Sequence, residues 1–408
     1  MNNELIDTYV HKIVDRRRPG VDLKFATSQN LFSSNTIDPG TNLLLRMFAA
    51  HAGRKFEKAL DVGCGYGVIG ASLVESGIAA SADMVDRDAL AVAFAQRNIG
   101  LNGLSGLNAF ASLGYDDVPV GPVYDLVISN LPGKAGESVL RHMLVDASAH
   151  MMPDGQVWVV GVTPLREFIE TTLRESGATL VHTEHGPRHS VYGFRPLIEP
   201  QSTTEPDLPD SVDAGIYTRG SVDFEVGDRL YTLQTNRGVP EFEKISYATR
   251  LLLEQLYVVR KRKFRTVATF NITHGYIPLA ILAARMAKQI ELNDRDLLAL
   301  RSTQKNLSAN GFNCPTETLH HDVSWLPAGD GPVDLVAGTL RGDEPNAALE
   351  LGITEIAARL VRDGVAMVAG ESTPVTRMLK VLDGIRGITV TERQRYRGAS
   401  VAVFTKIS

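Results

Sequence analysis

Apolar and polar positions in the first half of the chain follow two patterns that alternate along the sequence. Short apolar runs, such as 126–128 and 157–160, are typical of strands covered on both faces of a sheet. Segments with helical periodicity lie between these runs. The predicted strands are 56–62, 81–86, 107–112, 123–129, 155–162, 179–185 and 189–196. The predicted helices are 3–18, 40–51, 67–77, 88–101, 134–150 and 164–176.

This alternation predicts an α/β fold with a doubly wound, mainly parallel sheet. The last two predicted strands, 179–185 and 189–196, follow each other without room for a helix. Parallel neighbours need a longer crossover, so these two strands should form an antiparallel hairpin at one edge of the sheet.

A set of residues in the first half of the chain recurs in the second half. The hexapeptide DRDALA at 86–91 returns as DRDLLA at 294–299. Further matches at the same spacing are Gly67 with Gly275, Asn98 with Asn306 and Asn102 with Asn310. Because residues from Gly67 to Asn102 recur at one constant offset of 208, we infer a tandem duplication of one fold.

The repeat and the length of 408 residues predict two domains, since a domain typically has about 150 residues. We expect a first unit at 1–197, which includes the N-terminal helix, and a second unit at 219–408. The segment 198–218 is rich in Pro, Ser, Thr and acidic residues and lacks periodicity, which predicts a linker.

Composition and charge exclude several classes of protein. No apolar run approaches the ~20 residues of a membrane helix, and no secretory signal is visible. The two cysteines, Cys64 and Cys314, are far apart, which argues against a disulfide scaffold and a zinc cluster, and for the cytoplasm. The formal net charge of −5 argues against a protein that coats nucleic acid without specificity.

A glycine-rich turn follows the first predicted core strand. Asp61 is followed by Gly63, Gly65 and Gly67, and a helix begins after them. Glycine lets the backbone turn tightly and approach a ligand closely. Asp86 ends the next strand, where an acid can accept hydrogen bonds from ribose hydroxyls. This combination predicts a nucleotide-like ligand at the turn.

A second candidate site follows the predicted strand 123–129, where Asn130, Leu131 and Pro132 stand in sequence. Ligands of open α/β sheets bind outside the carboxyl ends of the strands, so Asn130 should lie beside the glycine turn. Its amide offers a neutral hydrogen-bond acceptor in a fixed geometry. The alternative is a turn that merely ends the strand.

These motifs resemble those of a known enzyme family. The pattern Asp-x-Gly-x-Gly-x-Gly at 61–67 resembles motif I of class I S-adenosylmethionine-dependent methyltransferases. The tetrapeptide at 130–133 resembles the Asn-Pro-Pro-aromatic motif of amino-methyltransferases, with Leu and Gly replacing the first Pro and the aromatic residue. Together with the segments 31–33, 37–45 and 191–192, they make the chain similar to the "methyltransferase small" domain and to tandem-domain ribosomal RNA guanine-N2 methyltransferases.

The resemblance implies two Rossmann-like units and S-adenosyl-L-methionine as the cofactor. Transfer from a sulfonium to a nitrogen needs no metal ion, so none is expected. It makes Asn130 the catalytic residue, whose side-chain oxygen and following carbonyl would accept hydrogen bonds from the target amino group, with Pro132 as a rigid neighbour. Asp86 would hold the ribose. The residues implied around the cofactor are Asp61, Gly63, Gly65, Gly67, Asp86, Arg87, Ser112, Leu113 and Asn130, with Ser112 and Leu113 flanking the adenine. The residues implied around the acceptor are Phe32, Asp38, Thr41, Leu131 and Lys134.

The second unit lacks most of these residues, and we predict that it is inactive. Thr269, Asn271 and Thr273 replace the acid and two glycines of the turn, and their added Cβ atoms would obstruct a close backbone approach. Thr339 and Arg341 replace Asn130 and Pro132. Asp294 is retained, and we interpret it as an acid at the start of a helix.

Two basic runs leave their role open. The run 260–263 lies between a helix and a strand of the second unit, and Lys12 with 16–18 would end the predicted N-terminal helix. Cations complement the C-terminal end of a helix. The alternative is contact with RNA phosphate.

The leading hypothesis is an S-adenosylmethionine-dependent N-methyltransferase that acts on an exocyclic amine of an RNA base. Guanine N2 is the first choice of acceptor atom, and ribosomal RNA is a candidate substrate. One alternative is a methyltransferase for a small metabolite, and another is a cofactor-binding scaffold without catalysis. Neither a membrane nor a metal ion is expected as a partner, and the oligomeric state is left open.

Overall fold

The computed structural model describes residues 3–18, 21–198, 210–312, 317–327 and 331–407. They form two compact units. Residues 10–217 form the first unit, and residues 3–9 together with 218–407 form the second. In these described ranges, no helix is long and apolar enough to cross a membrane.

The first unit begins with an antiparallel hairpin of β1 (Lys12–Arg18) and β2 (Val21–Thr27). Its main sheet has seven strands, β3 (Phe56–Val62), β4 (Ala79–Asp86), β5 (Leu107–Ala111), β6 (Tyr124–Asn130), β7 (Met151–Val162), β8 (Thr179–His185) and β9 (His189–Arg195). The helices up to this point in the chain are α1 (Asn3–Thr8), α2 (Pro39–His51), α3 (Val68–Glu75), α4 (Ala89–Leu101), α5 (Glu137–Val145) and α6 (Arg166–Glu175). Of these, α1 belongs to the second unit.

The main sheet has the strand order β5-β4-β3-β6-β7-β9-β8. Neighbours from β5 to β7 are parallel, whereas β9 is antiparallel to both β7 and β8. The predicted doubly wound sheet with an antiparallel edge hairpin is therefore confirmed. The largest boundary difference in this sheet region is the helix predicted at 134–150. It begins only after Gly136, whose φ of 92° is not helical, and it ends in a 3-10 turn at Asp146–His150.

The N-terminal helix predicted at 3–18 was wrong for most of its length. The α-helix ends at Thr8, and 12–18 is strand β1, paired with β2. The reason lies in the partner strand, where Val21, Leu23 and Phe25 alternate with polar residues and are buried. The basic residues at 12–18 therefore do not lie in the last turn of the N-terminal helix, contrary to the expectation from the sequence.

Asparagines of α4 fasten the hairpin to the rest of the first unit. Asn98 accepts a hydrogen bond from the Ala26 amide (2.8 Å) and donates to the carbonyls of Ala26 (3.1 Å) and Tyr66 (2.9 Å). Asn102 accepts a hydrogen bond from the Lys24 amide (2.8 Å) and donates one to the Lys24 carbonyl (2.7 Å). A side-chain amide can serve one backbone amide and one carbonyl at once, so each asparagine acts as a substitute for a neighbouring strand.

The second unit repeats this plan. Its strands are β10 (Thr218–Val226), β11 (Arg229–Asn236), β12 (Phe264–Phe270), β13 (Ala287–Asp294), β14 (Glu317–His321), β15 (Val333–Thr339), β16 (Leu360–Glu371), β17 (Ile388–Tyr396) and β18 (Ala399–Lys406). Its further helices are α7 (Tyr247–Val258), α8 (Tyr276–Ala283), α9 (Leu297–Ala309), α10 (Asn346–Arg359) and α11 (Ser372–Leu382). The hairpin β10-β11 stands apart, and the main sheet has the order β14-β13-β12-β15-β16-β18-β17, which matches the first unit strand for strand.

The asparagine fasteners also recur in the second unit. Asn306 bonds the amide and carbonyl of Gln234 at 2.8 and 2.9 Å and donates to the His274 carbonyl at 2.9 Å. Asn310 bonds the amide and carbonyl of Thr232 at 3.3 and 2.9 Å. These repeated asparagines are therefore part of the scaffold and independent of any ligand.

The predicted linker 198–218 is described in part. Residues 199–209 lie outside the described residues, and 210–217 form turns that belong to the first unit. Ser211 donates a hydrogen bond to Asp116 at 2.7 Å, and the Ile216 carbonyl accepts one from Ser138 at 2.7 Å. The end of the predicted linker is thus held against the first unit.

Candidate functional site

The glycine turn lies between β3 and α3, at the carboxyl edge of the sheet. Gly63, Gly65 and Gly67 have φ values of 73°, 55° and 90°, a region that costs other residues strain. A Cβ at Gly63 or Gly65 would meet no atom within 4 Å, whereas one at Gly67 would lie 3.3 Å from the Cβ of Ala95. The first two glycines therefore present open backbone, and the third allows α4 to pack closely.

Asp61 lies behind this turn and is fully buried. Its Oδ2 accepts a hydrogen bond from the Gly70 amide at 3.0 Å, while Oδ1 has no partner among the described residues. Burial raises the pKa of Asp61 from 3.8 to about 7, and the charge of Asp86 acts in the same direction. A buried oxygen without a partner is costly, so this position suits a ligand group that donates hydrogen bonds or carries positive charge.

Asp86 ends β4 beside the turn. Its Oδ2 accepts from the Gly65 amide and its Oδ1 from the Asp88 amide, both at 3.0 Å. Burial raises the pKa of Asp86 to about 6, and the neighbouring Arg87 lowers it. Each carboxylate oxygen keeps a free lone pair, so the group can still accept hydrogen bonds from ligand hydroxyls.

Ser112 and Leu113 follow β5, next to Asp86 in the sheet. The Ser112 amide donates to the Asp86 carbonyl at 3.1 Å, and its hydroxyl donates to the Gly114 carbonyl at 2.9 Å. The Leu113 amide donates to Asp117 at 3.3 Å. These bonds hold the loop at the same edge as the glycine turn, with both side chains buried.

Asn130 is the last residue of β6 and lies at the same edge. Its Nδ2 donates to Oδ2 of Asp38 and to Oγ1 of Thr41, both at 3.0 Å. An ionised carboxylate can only accept hydrogen bonds, so the amino side of the amide must face Asp38. Among the described residues, no group donates a hydrogen bond to Oδ1, which is thereby left for an external donor.

Asp38 also determines where α2 begins. Its Oδ2 accepts from the Thr41 amide at 2.9 Å as the N-cap, and Pro39 occupies the first turn. The same carboxylate thus positions both the helix and Asn130. Ser129, which the sequence did not single out, donates to the Val62 carbonyl at 2.7 Å and ties the end of β6 to the end of β3.

The remaining predicted acceptor residues lie on segments around Asn130. The Phe32 ring is 72% exposed. The carbonyl of the next residue, Ser33, accepts a hydrogen bond from the Tyr66 hydroxyl of the glycine turn at 3.3 Å. The sequence pointed to the glycines of this turn but not to Tyr66, which holds the Phe32 segment to it.

The residues after Asn130 leave the sheet. The Leu131 side chain is buried, and its amide donates to the Val160 carbonyl at 2.9 Å. Pro132 and Lys134 are exposed, and the turn closes with a bond from the Ala135 amide to the Pro132 carbonyl at 2.9 Å. Among the described contacts, none joins Lys134 to Asn130, so its role as an acceptor residue stays a prediction.

The equivalent edge of the second unit keeps the backbone but changes the side chains. Asn271 and Thr273 have φ values of 49° and 53°, in the left-handed region that the glycines occupy in the first unit. Arg341 donates to Oδ1 of Asp294 at 2.9 Å through Nη2 and to Oδ1 of Asn271 at 3.0 Å through Nε. The retained acid is therefore neutralised by a residue of its own unit.

A small cavity lies at this edge of the second unit. It is lined among others by Asn271, Asp294, Arg341 and Glu344 and has a volume of about 10 Å³. That is the space of about one water molecule. Glu344 is buried and accepts a hydrogen bond from the hydroxyl of Tyr9, which follows α1.

Metal ligands form no cluster in the described part of the chain. No group of three or more His, Cys, Asp and Glu side chains is arranged there to hold a metal ion. His182, His185 and His189 lie close together in the sequence, but they are not arranged as a metal site. His182 instead stacks on His51, with the ring centroids 4.0 Å apart.

The fold and this edge together define a class of protein. A doubly wound sheet with an open glycine turn, an acid at the end of the next strand and an asparagine at the end of β6 are the features of a class I methyltransferase. The model of the Methyltransferase small domain family matches residues 22–189 and 230–336. The chain belongs to this family, which confirms the predicted enzyme class and S-adenosylmethionine as its cofactor.

Relatives and a solved structure extend this assignment. The chain is 29% identical over 140 residues to the uncharacterized protein YbxB of Bacillus subtilis, over 34% of this chain and 68% of that protein. It is 34% identical over 154 residues to the ribosomal RNA small subunit methyltransferase C of Hahella chejuensis. That match covers 36% of this chain and 43% of the relative, so the chain spans less than half of it.

The solved structure shows the fold over the full length. A T. thermophilus 16S rRNA N2 methyltransferase (RsmC), in complex with AdoMet and guanosine, matches with a TM-score of 0.66. The match covers 99% of this chain and 100% of that one, at 20% sequence identity. The arrangement of two Rossmann-like units is thereby confirmed, while the roles of the individual site residues remain predictions.

Proposed function

We propose that the first unit transfers a methyl group from S-adenosylmethionine to an exocyclic amine of an RNA base, with guanine N2 in ribosomal RNA as the first choice. The observation that carries this proposal is the oriented amide of Asn130, whose Nδ2 is held by Asp38 and Thr41. The names of the curated relatives and of the solved structure support RNA as the acceptor. In this proposal the first unit (residues 10–217) is catalytic and the second unit (residues 3–9 and 218–407) is degenerate.

The amide of Asn130 would orient the acceptor. Its Oδ1 accepts a hydrogen bond from one hydrogen of the target amino group, and the Leu131 carbonyl accepts one from the other. The nitrogen lone pair is then directed away from both acceptors. S-adenosylmethionine would supply a methyl group on a positively charged sulfur: the nitrogen–carbon bond would form as the carbon–sulfur bond breaks, its electron pair would stay on sulfur, and the methylated amine would then lose a proton to solvent. As the amine gains positive charge in the transition state, the two oxygens stabilise it, and Pro132 limits the motion of the turn.

The residues at the glycine turn would hold the cofactor. Oδ1 of Asp61, which has no partner in the described part of the chain, suits a positively charged amino group, and Asp86 suits the ribose hydroxyls. The open backbone at Gly63 and Gly65 allows close contact. Arg87, Gly67, Ser112 and Leu113 complete the proposed cofactor residues.

The acceptor base would stack on an aromatic ring. Gly133 stands where related motifs carry an aromatic residue, and the Phe32 ring, 72% exposed, lies on the segment held by Tyr66. Stacking on an aromatic side chain contributes about 1–3 kcal/mol per base. Phe32 would therefore supply the missing stacking surface, with Lys134 at the exposed rim.

The proposal is tested by following a labelled methyl group. The full chain is incubated with S-adenosylmethionine labelled in the methyl group and, in separate reactions, with unmethylated ribosomal RNA, guanosine and a small-metabolite extract. We expect label in RNA that is recovered as N2-methylguanosine after digestion. Label confined to the metabolite extract would establish the small-molecule alternative. No label in any reaction, with cofactor binding intact, would favour the non-catalytic scaffold.

A further inference from the structure

A polar groove in the first unit lies beside the proposed acceptor site. It has a volume of about 390 Å³ and is lined by Val14, Asp15, Arg16, Arg17, Arg18, Asn35, Thr36, Ile37 and Asn42. Ile37 precedes Asp38 in the chain, and Asn42 follows Thr41. The groove is thus adjacent to the two residues that hold Asn130.

Arg16 is the central cation of this groove. Only 9% of it is exposed, its Nη1 donates to Oδ1 of Asn42 at 2.7 Å, and its Nε has no partner among the described residues. Burial lowers the pKa of Arg16, and the charge of the exposed Arg18 lowers it further. Two guanidinium groups therefore repel each other here, and an anion between them would relieve the repulsion.

Asp15, the acid that lines the groove, does not neutralise Arg16 or Arg18, because it lies near Arg17 instead. Nη2 of Arg17 lies 3.8 Å from Oδ2 of Asp15, and its Nε lies 3.7 Å from Oδ1 of Asp22. In the described ranges, no carboxylate lies within 4 Å of the guanidinium group of Arg16 or Arg18. Because side chains alternate along a strand, Arg16 and Arg18 share one side of β1 and Arg17 takes the other.

The other basic run of the chain is engaged differently. Arg260 follows α7, stacks on Tyr257 at 3.7 Å from the ring centroid and donates to the Tyr257 carbonyl at 2.7 Å. Nζ of Lys263 donates to the carbonyls of Ala284 (3.4 Å) and Arg285 (2.8 Å). These cations satisfy carbonyls where α7 and α8 end, whereas Arg16 and Arg18 lie at the end of strand β1.

We propose that Arg16 and Arg18, together with Asn35 and Thr36, bind the phosphate backbone of the RNA next to the nucleotide that is methylated. The inference rests on the proposed function, since it places the flanking phosphates beside Asn130. A guanidinium group presents paired donors that match phosphate oxygens, and amide and hydroxyl donors complete such a site. The net charge of −5 is no obstacle, because the groove is locally positive.

The test compares two single-charge changes in the full chain. Arg18→Gln removes an exposed cation of the groove, and Lys261→Gln removes an exposed cation of the run 260–263. Binding of a short fluorescein-labelled single-stranded RNA is measured by anisotropy over a range of KCl concentrations. We expect Arg18→Gln to weaken binding about fivefold to tenfold at low salt and to reduce the salt slope by about one, while Lys261→Gln behaves as wild type.

Steady-state kinetics provide a second test, because a purely structural role of Arg18 would not raise KM for RNA selectively over kcat. With RNA as the acceptor, Arg18→Gln should raise KM by about the same factor as it weakens binding, with a much smaller change in kcat. Arg16→Gln should have a larger effect and Arg16→Lys should restore part of it. Because Arg16 is buried, its variants are interpreted only after their urea unfolding midpoints have been measured.

Two results would overturn the groove assignment. One is an Arg18→Gln variant with the RNA affinity, salt slope and KM of wild type. The other is an equal loss in Arg18→Gln and Lys261→Gln, which would indicate a general effect of charge. Failure of the proposed function is distinguishable, because wild type would then neither bind nor methylate RNA in the same assays.

Discussion

The two units of this protein have the same strand order, yet their carboxyl edges differ in chemistry. In the first unit the edge carries an open glycine turn, the buried Asp61, the half-buried Asp86 and an oriented asparagine. In the second unit the same edge is closed by the pair of Arg341 and Asp294. What both share is the scaffold, including the asparagines Asn98 and Asn306 that fasten each hairpin.

The comparison separates what the fold needs from what the site needs. Position 65 and its equivalent 273 have nearly the same φ, 55° and 53°, although one is Gly and the other Thr. The strand-turn-helix connection therefore imposes this conformation whichever residue occupies it. Glycine at 65 lowers the strain and leaves the backbone open.

The largest expected effect comes from Asn130→Ala, which removes the oriented acceptor. We expect methyl transfer in a single turnover to fall by roughly a hundredfold or more, because the target amine loses its alignment. Cofactor affinity, measured by calorimetry, should stay close to that of wild type. The matched change Thr339→Asn in the second unit should create no activity. An Asn130→Ala variant with wild-type turnover would show that the chemistry lies elsewhere.

Gly65→Thr would give the first unit the residue that the second unit carries. The fold should persist, since Thr273 already occupies this conformation. The added side chain would occupy the open space at the turn, and we expect cofactor affinity to fall by roughly a hundredfold, about 2.7 kcal/mol. Calorimetric titration measures this loss, and wild type should bind one cofactor per chain. Unchanged affinity would contradict a cofactor site at Gly65.

Arg341→Ala would open the edge of the second unit. The Asp294 side chain is 3% exposed and would lose its cation, so we expect the unfolding free energy to fall by about 2 kcal/mol. Arg362→Ala, at an exposed position of the same unit, is the control in urea unfolding. No second cofactor should bind, because Thr269 and Thr273 remain. A second calorimetric site would mean that Arg341 alone closes this edge.

Asp61, which Thr269 replaces in the second unit, should make cofactor binding by the first unit depend on pH. Because its folded pKa is about 7 and its ordinary value 3.8, the folded state favours the neutral carboxyl. Its contribution to stability is present below about pH 4 and is lost as the pH rises to about 7. A positively charged ligand group favours the ionised form, so affinity should fall by up to about tenfold per pH unit below pH 7.

Calorimetry in buffers of different ionisation enthalpy measures this effect, since binding near pH 6 should release protons. Asp61→Asn should weaken binding and flatten its pH dependence. Equal affinity of wild type at pH 6 and pH 8, without proton release, would exclude an interaction between Asp61 and a cationic ligand group.

The smallest expected effect is that of Thr273→Gly. Removing a β-branched residue from φ 53° relieves strain, although glycine gains freedom in the unfolded chain, so we expect stabilisation of about 1 kcal/mol or less. Asn271→Gly should instead destabilise, because Asn271 bonds both Arg341 and the Thr339 carbonyl. If the urea midpoints of Thr273→Gly and Asn271→Gly shift in the same direction, the opposite roles expected for these two residues are wrong.

The sequence predicted most of the core because the signals there are local. Apolar runs identified β3 to β9, and the spacing of glycines located the turn at 63–67. The signal for the missed hairpin was also present in the alternation of Val21, Leu23 and Phe25. The run Lys12–Arg18 has no strong periodicity of its own, so its strand state depends on pairing with that partner.

By itself, the sequence determined the alternation of strands and helices, the repeat, the glycine turn and the family of the protein. Only the tertiary structure decided the direction of the Asn130 amide, because Asp38 lies 92 residues away in the chain. It likewise decided that Arg341 closes the second unit, through a bond to Asp294 across 47 residues. Periodicity and glycine spacing can be read from neighbouring residues, whereas hydrogen bonds and ion pairs between distant residues exist only once the strands have been brought to one edge of a sheet.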